Sequence, residues 1–563
     1  MKRSLILATS ALCMSLPTLA SATTYYISSH GSDNNNGTSP STPLATLHVV
    51  NSLVYSPGDT ILLERGSVWQ GILVPCAAAQ CSGTAAAPIK IDAYGDLTAP
   101  LPRIDGAGSA RATVSLVNQS YWEIRNLEVT NHGPGGFHYG GIEAICDSTS
   151  AAKRICHHIY IGHNYVHDIN GVASYADNGI WVTWNVHNSF FNGQRWVSNS
   201  NYWDDIVIEW NTLRDVSHHG IFASDNNPIL TSIVDRICPT TGFDCMTQKP
   251  NTTGLRIRNN TLINIGGDGI QFGNTDGAVA EYNVLGDWGL NGAGPPAAGI
   301  WSYAAHNTVI QHNEVYGAHG GGDREAFDID FANISTYIQF NYSHNNYGGM
   351  LLFEEPHSSD PAATQNYIDD AIVRFNLSLN DGANTAVVNV WNGHWQAGLN
   401  PIDFANNSIY QSATNYASGG PNITDIFGIT GTRNDPTCQS SLITGTAWIY
   451  NNIFVVQGTA VYPRFDPSTG LGANVFHAPG GTSCTPIPGG QVPNVDAGAI
   501  TQNPMFVAFP AAPATPNDFR LKSTSPVLGN GIYTPYIGGV DYWGNTVPPN
   551  VGPNRGAYNG PGL

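Results

Sequence analysis

Basic residues are scarce in this chain. Lys and Arg number 22 against 41 Asp and Glu over 563 residues, and charged residues of all kinds make up 11%. A surface with that balance repels polyanions. Nucleic acid, anionic membrane and strongly acidic polysaccharide are therefore not expected as partners. Long apolar runs are also missing, so no segment after the leader is expected to cross a bilayer. The composition is not that of a helical protein, in which Lys, Glu and Ala would dominate. Metal signatures are absent as well: the sequence has no HExxH, no HxH and no CxxC pair, so no metal centre is expected from spacing.

What is present begins with a leader. The segment "MKRSLILATSALCMSLPTLASA" has a basic end (Lys2, Arg3), a short apolar run and small residues at Ala20 and Ala22. It reads as a secretory signal peptide over residues 1–22, too short to be a membrane span. Its removal takes the net charge from −19 to −21. Of nine cysteines Cys13 leaves with it, and an even set remains. These fall as Cys76 with Cys81, Cys146 with Cys156, Cys238 with Cys245, and Cys438 with Cys484. In an exported chain, extracellular or periplasmic, that pattern predicts disulfides closing local loops.

Gly (62 residues) and Asn are abundant, and they recur in a pattern. An Asn follows one strand-like run and precedes another at Asn126, Asn164, Asn211, Asn260, Asn283, Asn313, Asn341, Asn376, Asn407 and Asn452. Runs such as "IVIEWN", "LRIRNN", "TVIQHN" and "TYIQFN" are β-branched and aromatic, with no helical period between them. Recurrence at coil-like intervals predicts a parallel β-helix, each coil adding one strand to each of several parallel sheets. The asparagines are expected at a corner, in the left-handed conformation, each bonded to the Asn of the next coil. On this reading they are architecture and not ligands.

Three segments carry a resemblance. "TTYYISSHGSDNNNGTSPSTPLATL" with "SPGDTILLERGSVWQG" is similar to the N-terminal entry, and the Asn-bearing coils to the body, of the right-handed parallel β-helix, or pectin lyase-like, superfamily of secreted carbohydrate-active proteins. "NDFRLKSTSPVLGNGI", "VDYWGN" and "RGAYNG" resemble its C-terminal ending. The resemblance implies one all-β solenoid domain over residues 23–563 with inserted loops, including an N-terminal entry and a C-terminal closing segment, coils running to about residue 540, and a monomer. It specifies fold more than reaction, because such helices host hydrolases, lyases, epimerases and adhesins. Some β-helix glycoside hydrolases place an Asp on one coil and a Glu about one coil later, as here. The paired aspartates with Gly-His-Gly of the polygalacturonase type have no match.

Aligning the strands that follow the glycine turns puts Glu143, Trp181, Thr183, Gln271, Trp301, Tyr303, Asp328 and Asp330 on one face. They are expected to form an exposed stripe in which indoles stack on sugar rings and carboxylates and amides take hydroxyls. Arg324 is placed near it, as is Lys249. The sharpest departure from apolar alternation is "GGDREAFDIDFAN". Its Asp328 and Asp330 share a face, and "LLFEEP" brings Glu354 and Glu355 about one coil later. Carboxyls so close push one pKa up and leave another ionised, which suits glycoside hydrolysis. Asp330 is expected as nucleophile or base and Glu354 as acid. A calcium site using these acids with Asn333 is the alternative reading.

Most histidines, His218 and His219 among them, are expected at corners. The stretch 187–205 is expected as a loop walling the face. The expected function is therefore a polysaccharide-degrading glycoside hydrolase. A polysaccharide lyase is the alternative, though poorly equipped with the cations a uronate needs, and a non-catalytic glycan-binding surface protein is another.

Overall fold

The computed structural model describes residues 22–109, 111–134, 139–147, 154–172, 177–184, 201–225, 250–291, 296–354, 368–383, 385–393, 400–412, 423–429, 442–483 and 495–563. Cys238, Cys245, Cys438, Cys484, Glu355, Lys249 and the 187–200 part of the expected loop lie outside them. The remainder of that loop, Asn201–Asp205, is not loop but the start of the strand Asn201–Glu209.

Three long parallel sheets run the length of the molecule. The first extends from the strand Thr24–Ile27 to Gly470–Gly472, the second from Val68–Gln70 to Val475–His477, and the third from Arg111–Val117 to Phe427–Ile429. Alternation decides what points inward. In the first sheet Ile208, Ile257, Ala280, Ile310, Ile338, Val373, Phe404 and Ile449 are successive register partners. All are buried, so every coil adds its apolar residue to one continuous column. The short helix Leu47–Ser52, N-capped by Thr46, packs Leu47 and Val50 onto the first coils. The chain is a parallel β-helix.

The asparagines stack as expected, with three differences. The ladder runs Asn164, Asn211, Asn260, Asn283, Asn313, Asn341, Asn376, Asn407, Asn452 and Asn474, each Nδ2 donating 3.0 Å to the next Oδ1 up to Asn474. It ends on Asp496, which accepts from Asn474. Asn126 is not a rung: Leu127 takes that place and donates its N–H to Asn164. Nor are the rungs themselves left-handed. The positive φ belongs to the residue before each rung, including His163, Trp210, Asn259, Tyr282, His312, Phe340 and Phe375. The surrounding hydrogen bonds force this conformation on bulky residues. Their rings stack along the corner, His163 on Trp210 and Tyr282 on His312 on Phe340 on Phe375.

Coils end near Ile500, which bridges to Val475, and not near residue 540. From there the chain turns back along the outer face of the second sheet. Phe519, Leu521, Val527 and Tyr558 pack there on Tyr410, Ile453 and Val475, and Arg555 donates to the carbonyls of Asn474 and Gly498. Cys76–Cys81 and Cys146–Cys156 are bonded.

Near the N-terminal end His158 contacts Asp205 at 2.7 Å and Glu123 at 3.8 Å. The Asp205 hydrogen bond, with Glu123 beside it, raises the imidazole to about 9 from its ordinary 6.5. A raised pKa stabilises the fold fully below about 6.5 and ceases to do so as pH passes about 9. His158→Asn keeps a residue tolerant of the positive φ found there but removes the charge. Urea unfolding should show wild type ahead by on the order of 1–2 kcal/mol at pH 6, allowing for screening at the exposed Asp205. The advantage should vanish by pH 10. A pH-independent difference would assign the effect to packing.

Candidate active site

The site grows from the third sheet. Glu143, Trp181, Phe222, Gln271, Trp301, Asp328, Leu352 and Asn389 are consecutive register partners. The alignment made from sequence therefore holds from Glu143 to Asp328, and Phe222 and Asn389 join it. Thr183 and Ser224 pair two residues further along, and Tyr303 meets Ser224 through hydroxyls 2.6 Å apart.

The stripe is not open, however. Glu143, Gln271, Tyr303, Asp328, Asp330 and Glu354 are buried, and Trp181 and Trp301 are half-buried. Several of these side chains are tied to neighbours: Glu143 Oε1 accepts from the Ser115 hydroxyl (2.6 Å), and Trp301 Nε1 donates to Asp268 (2.8 Å). Trp301 and Tyr303 lie 5.7 Å apart, ring to ring. Arg324 is not a stripe residue. It is fully buried, and its guanidinium donates to the carbonyls of His319, Ala297 and Asn291.

The acids do converge. One oxygen from each of Asp328, Asp330 and Glu354 lies within 4.8 Å of the others. Asp328 leaves the strand Glu325–Ile329, Asp330 follows it, and Glu354 is brought over by its N–H donating to Ile329 O (3.0 Å). Burial first, then the neighbouring Asp330, push the carboxyls of Asp328 and Glu354 well above the ordinary range. Asp330 Oδ1 accepts the Phe331 N–H (2.7 Å). Asn333 is not placed as a calcium ligand: its amide donates to Ser302 O and Asp330 O while its oxygen accepts from Ser302 Oγ, bracing the turn that carries Asp330.

Two further acids escaped the sequence reading although they sit in the same quoted stretch. Glu325 is buried, raised well above its ordinary value by burial, and accepts from Asn389 Nδ2 (2.8 Å). Asp323 is only half-buried, and burial lifts it to about 6. Its charge adds to the upward push on Asp328 and Glu354. Their signal was available as Asp and Glu flanking Arg324 after a Gly pair, but alternation did not put them on the Asp328 face.

A second group lies below Trp301. His218 and His219 face Asp268 at 3.5 and 3.4 Å, and His219 Nε2 is 2.6 Å from Gln271 Oε1. The donor sets able to hold a cation among the described residues are this one and the Asp328–Asp330–Glu354 cluster.

No family model matches the sequence. A lacto-N-biosidase of Bifidobacterium longum subsp. longum is 27% identical over 435 residues, covering 65% of this chain and 26% of that protein. The chain thus spans about a quarter of that relative. The crystal structure of a GH136 lacto-N-biosidase from Eubacterium ramulus superposes with a TM-score of 0.53 at 24% identity, over 69% of this chain and 64% of that one. Fold is what that likeness conveys, and it agrees with the three parallel sheets. The chain is a parallel β-helix protein, sharing the architecture of that glycan-degrading enzyme.

Proposed function

We propose that the chain is an exported glycoside hydrolase acting on neutral oligosaccharides. Oligosaccharides of the kind processed by lacto-N-biosidases are the first to test. The observation that carries this reading is the convergence of carboxyls in graded states beside Trp301 on one stripe. Asp330, held by a backbone N–H, acts as nucleophile. Asp323, at the margin of the cluster and lifted to about 6 by burial, protonates the leaving oxygen. Burial and the neighbouring Asp330 favour the neutral form of Asp328 and Glu354, which limits the negative charge around the nucleophile. A nucleophilic Asp330 forms a covalent glycosyl-enzyme intermediate that water then hydrolyses, so the expected outcome is retention.

The lyase reading loses support because Arg324, the cation nearest the acids, points its guanidinium at backbone carbonyls. A site whose described side chains are mainly carboxyls disfavours uronates. The test is purified protein against lacto-N-biose-bearing and other neutral glycans and pectins, reading both new reducing ends and unsaturated-uronate absorbance. Reducing ends without absorbance support hydrolysis. Absorbance on uronates, or no product on any glycan, overturns it.

Two expectations follow from the geometry. The acid must be protonated, so kcat/KM should fall as pH rises through about 6, with an alkaline limb set by the cluster as a unit. A limb above pH 8 would remove Asp323 from the acid role. Trp301→Ala should raise KM by a factor corresponding to about 1–3 kcal/mol, the scale of one aromatic contact, with a smaller change in kcat. An unchanged KM would place the sugar elsewhere.

A further inference from the structure

We propose that His218, His219 and Asp268 form a binding site for a divalent transition metal, zinc by its donor set, that staples two successive coils beneath Trp301. The three lie on neighbouring turns of the helix: the Gly220 N–H donates to Asp268 O (2.9 Å) across the coil boundary. His218 occupies the bend before the strand His219–Asp225, so adjacent positions are not forced to opposite faces. The imidazoles stand edge to face, centroids 4.5 Å apart.

Distances distinguish the contacts to Asp268 from simple hydrogen bonds. The Nε2 atoms of His218 and His219 are 3.5 and 3.4 Å from Asp268 Oδ2, and that oxygen accepts no hydrogen bond. Those lengths exceed a charge-assisted hydrogen bond of about 2.7–2.9 Å. They match the separation of two ligands held at zinc's bond lengths of about 2.0–2.2 Å with a tetrahedral angle, which is about 3.3–3.6 Å. All three side chains are fully enclosed. The other oxygen of Asp268 accepts from Trp301 Nε1 (2.8 Å) and Ala298 N–H (2.9 Å), the outer hydrogen bonds that orient a ligating carboxylate.

Arg324 and Asp323 are the charged groups that bear on Asp268. Gln271 Oε1, 2.6 Å from His219 Nε2, accepts that ring's proton in the ion-free form. Zinc at His219 Nε2 would displace that hydrogen bond, so Gln271 Oε1 must draw back from 2.6 Å. Two imidazoles suit zinc, whereas the all-oxygen cluster of Asp328, Asp330 and Glu354 suits a hard cation, so the two groups differ in preference. No HxH or HExxH spacing announces the site because its two histidines are adjacent and its third ligand, Asp268, comes from the next coil.

The test is protein dialysed against chelator, supplied with zinc chloride, passed through gel filtration and assayed for metal per chain. One equivalent is expected, with a raised melting temperature. It should be lost in His218→Ala and His219→Ala and kept in Asp330→Asn, so the result is independent of whether the hydrolase reading holds. Zinc absent from wild type, kept equally in both histidine variants, or lost with Asp330→Asn overturns the proposal. Should the histidine variants fail to fold, X-ray absorption of the wild-type zinc form decides. Two imidazoles and a carboxylate support the site, and an all-oxygen shell overturns it.

Discussion

Asp330→Asn is expected to lose about 10³-fold or more in kcat on an oligosaccharide substrate while keeping its melting temperature and most of its glycan affinity. The amide has the volume of the carboxylate and can still accept the Phe331 N–H that positions Asp330 Oδ1. It cannot attack an anomeric carbon. Because the lost interaction belongs to the transition state, kcat and kcat/KM should fall together. Asp323→Asn should behave differently. Removing an acid slows departure of a poor leaving group by about 10²–10⁴-fold. It should spare an aryl glycoside whose leaving group needs no proton. Glu354→Gln separates this assignment from the one expected from sequence: if Glu354 is the acid, it and not Asp323 will show the leaving-group dependence. Unchanged turnover in Asp330→Asn, or activity lost to chelator and restored by calcium, would turn the cluster into a cation site or scaffold.

Much of this arrangement is legible in the sequence because a parallel helix converts spacing into proximity. The stripe from Glu143 to Asp328 follows from strand alternation and coil register, both of which act locally. Glu354 is found by its distance of about one coil from Asp330. Burial is not legible in this way. Alternation says that Asp328 points away from the apolar column of its own strand, but not whether other segments cover it, and it is enclosed. Arg324 lies near the acids as its place in the sequence suggests, but its burial is not legible there: the backbone carbonyls of Ala297 and Asn291 accept from its guanidinium. The Asn ladder was visible as a recurrence, but its chirality was not. The rung needs a conformation that aims its amide along the axis, so the left-handed turn falls on the residue before it, whatever that residue is.

Asn283→Ala should destabilise the fold by about 3–5 kcal/mol, far more than an exposed Asn would. Asn283 Oδ1 accepts both the backbone N–H and the Nδ2 of Asn260, and its own Nδ2 donates to Ile257 O and Asn313 Oδ1. Alanine removes all four bonds and leaves a buried backbone donor on Asn260 and a buried acceptor on Ile257 to be satisfied by nothing. The two ends of the ladder show what each rung is for. At the first, Leu127 only donates its N–H, and an apolar side chain suffices. At the last, Asp496 only accepts, from Asn474, Ala473 and Gly498, and a carboxylate suffices. A middle rung must do both, and of the side chains that size only Asn can. Asn283→Asp should therefore be about as costly as alanine, since it keeps the acceptors but loses both donors and buries a charge. Asp496→Asn should also be costly, by about 2–4 kcal/mol, because Oδ1 accepts from Ala473 and Gly498 and Oδ2 from Asn474, and an amide turns a donor toward one of these pairs. Urea midpoints, read with hydrogen exchange at the Asn260 amide, decide the matter. Equal stability of Asn283→Ala and wild type would mean that packing of the apolar column alone holds the corner, and that the ladder is a consequence of the coil and not one of its causes.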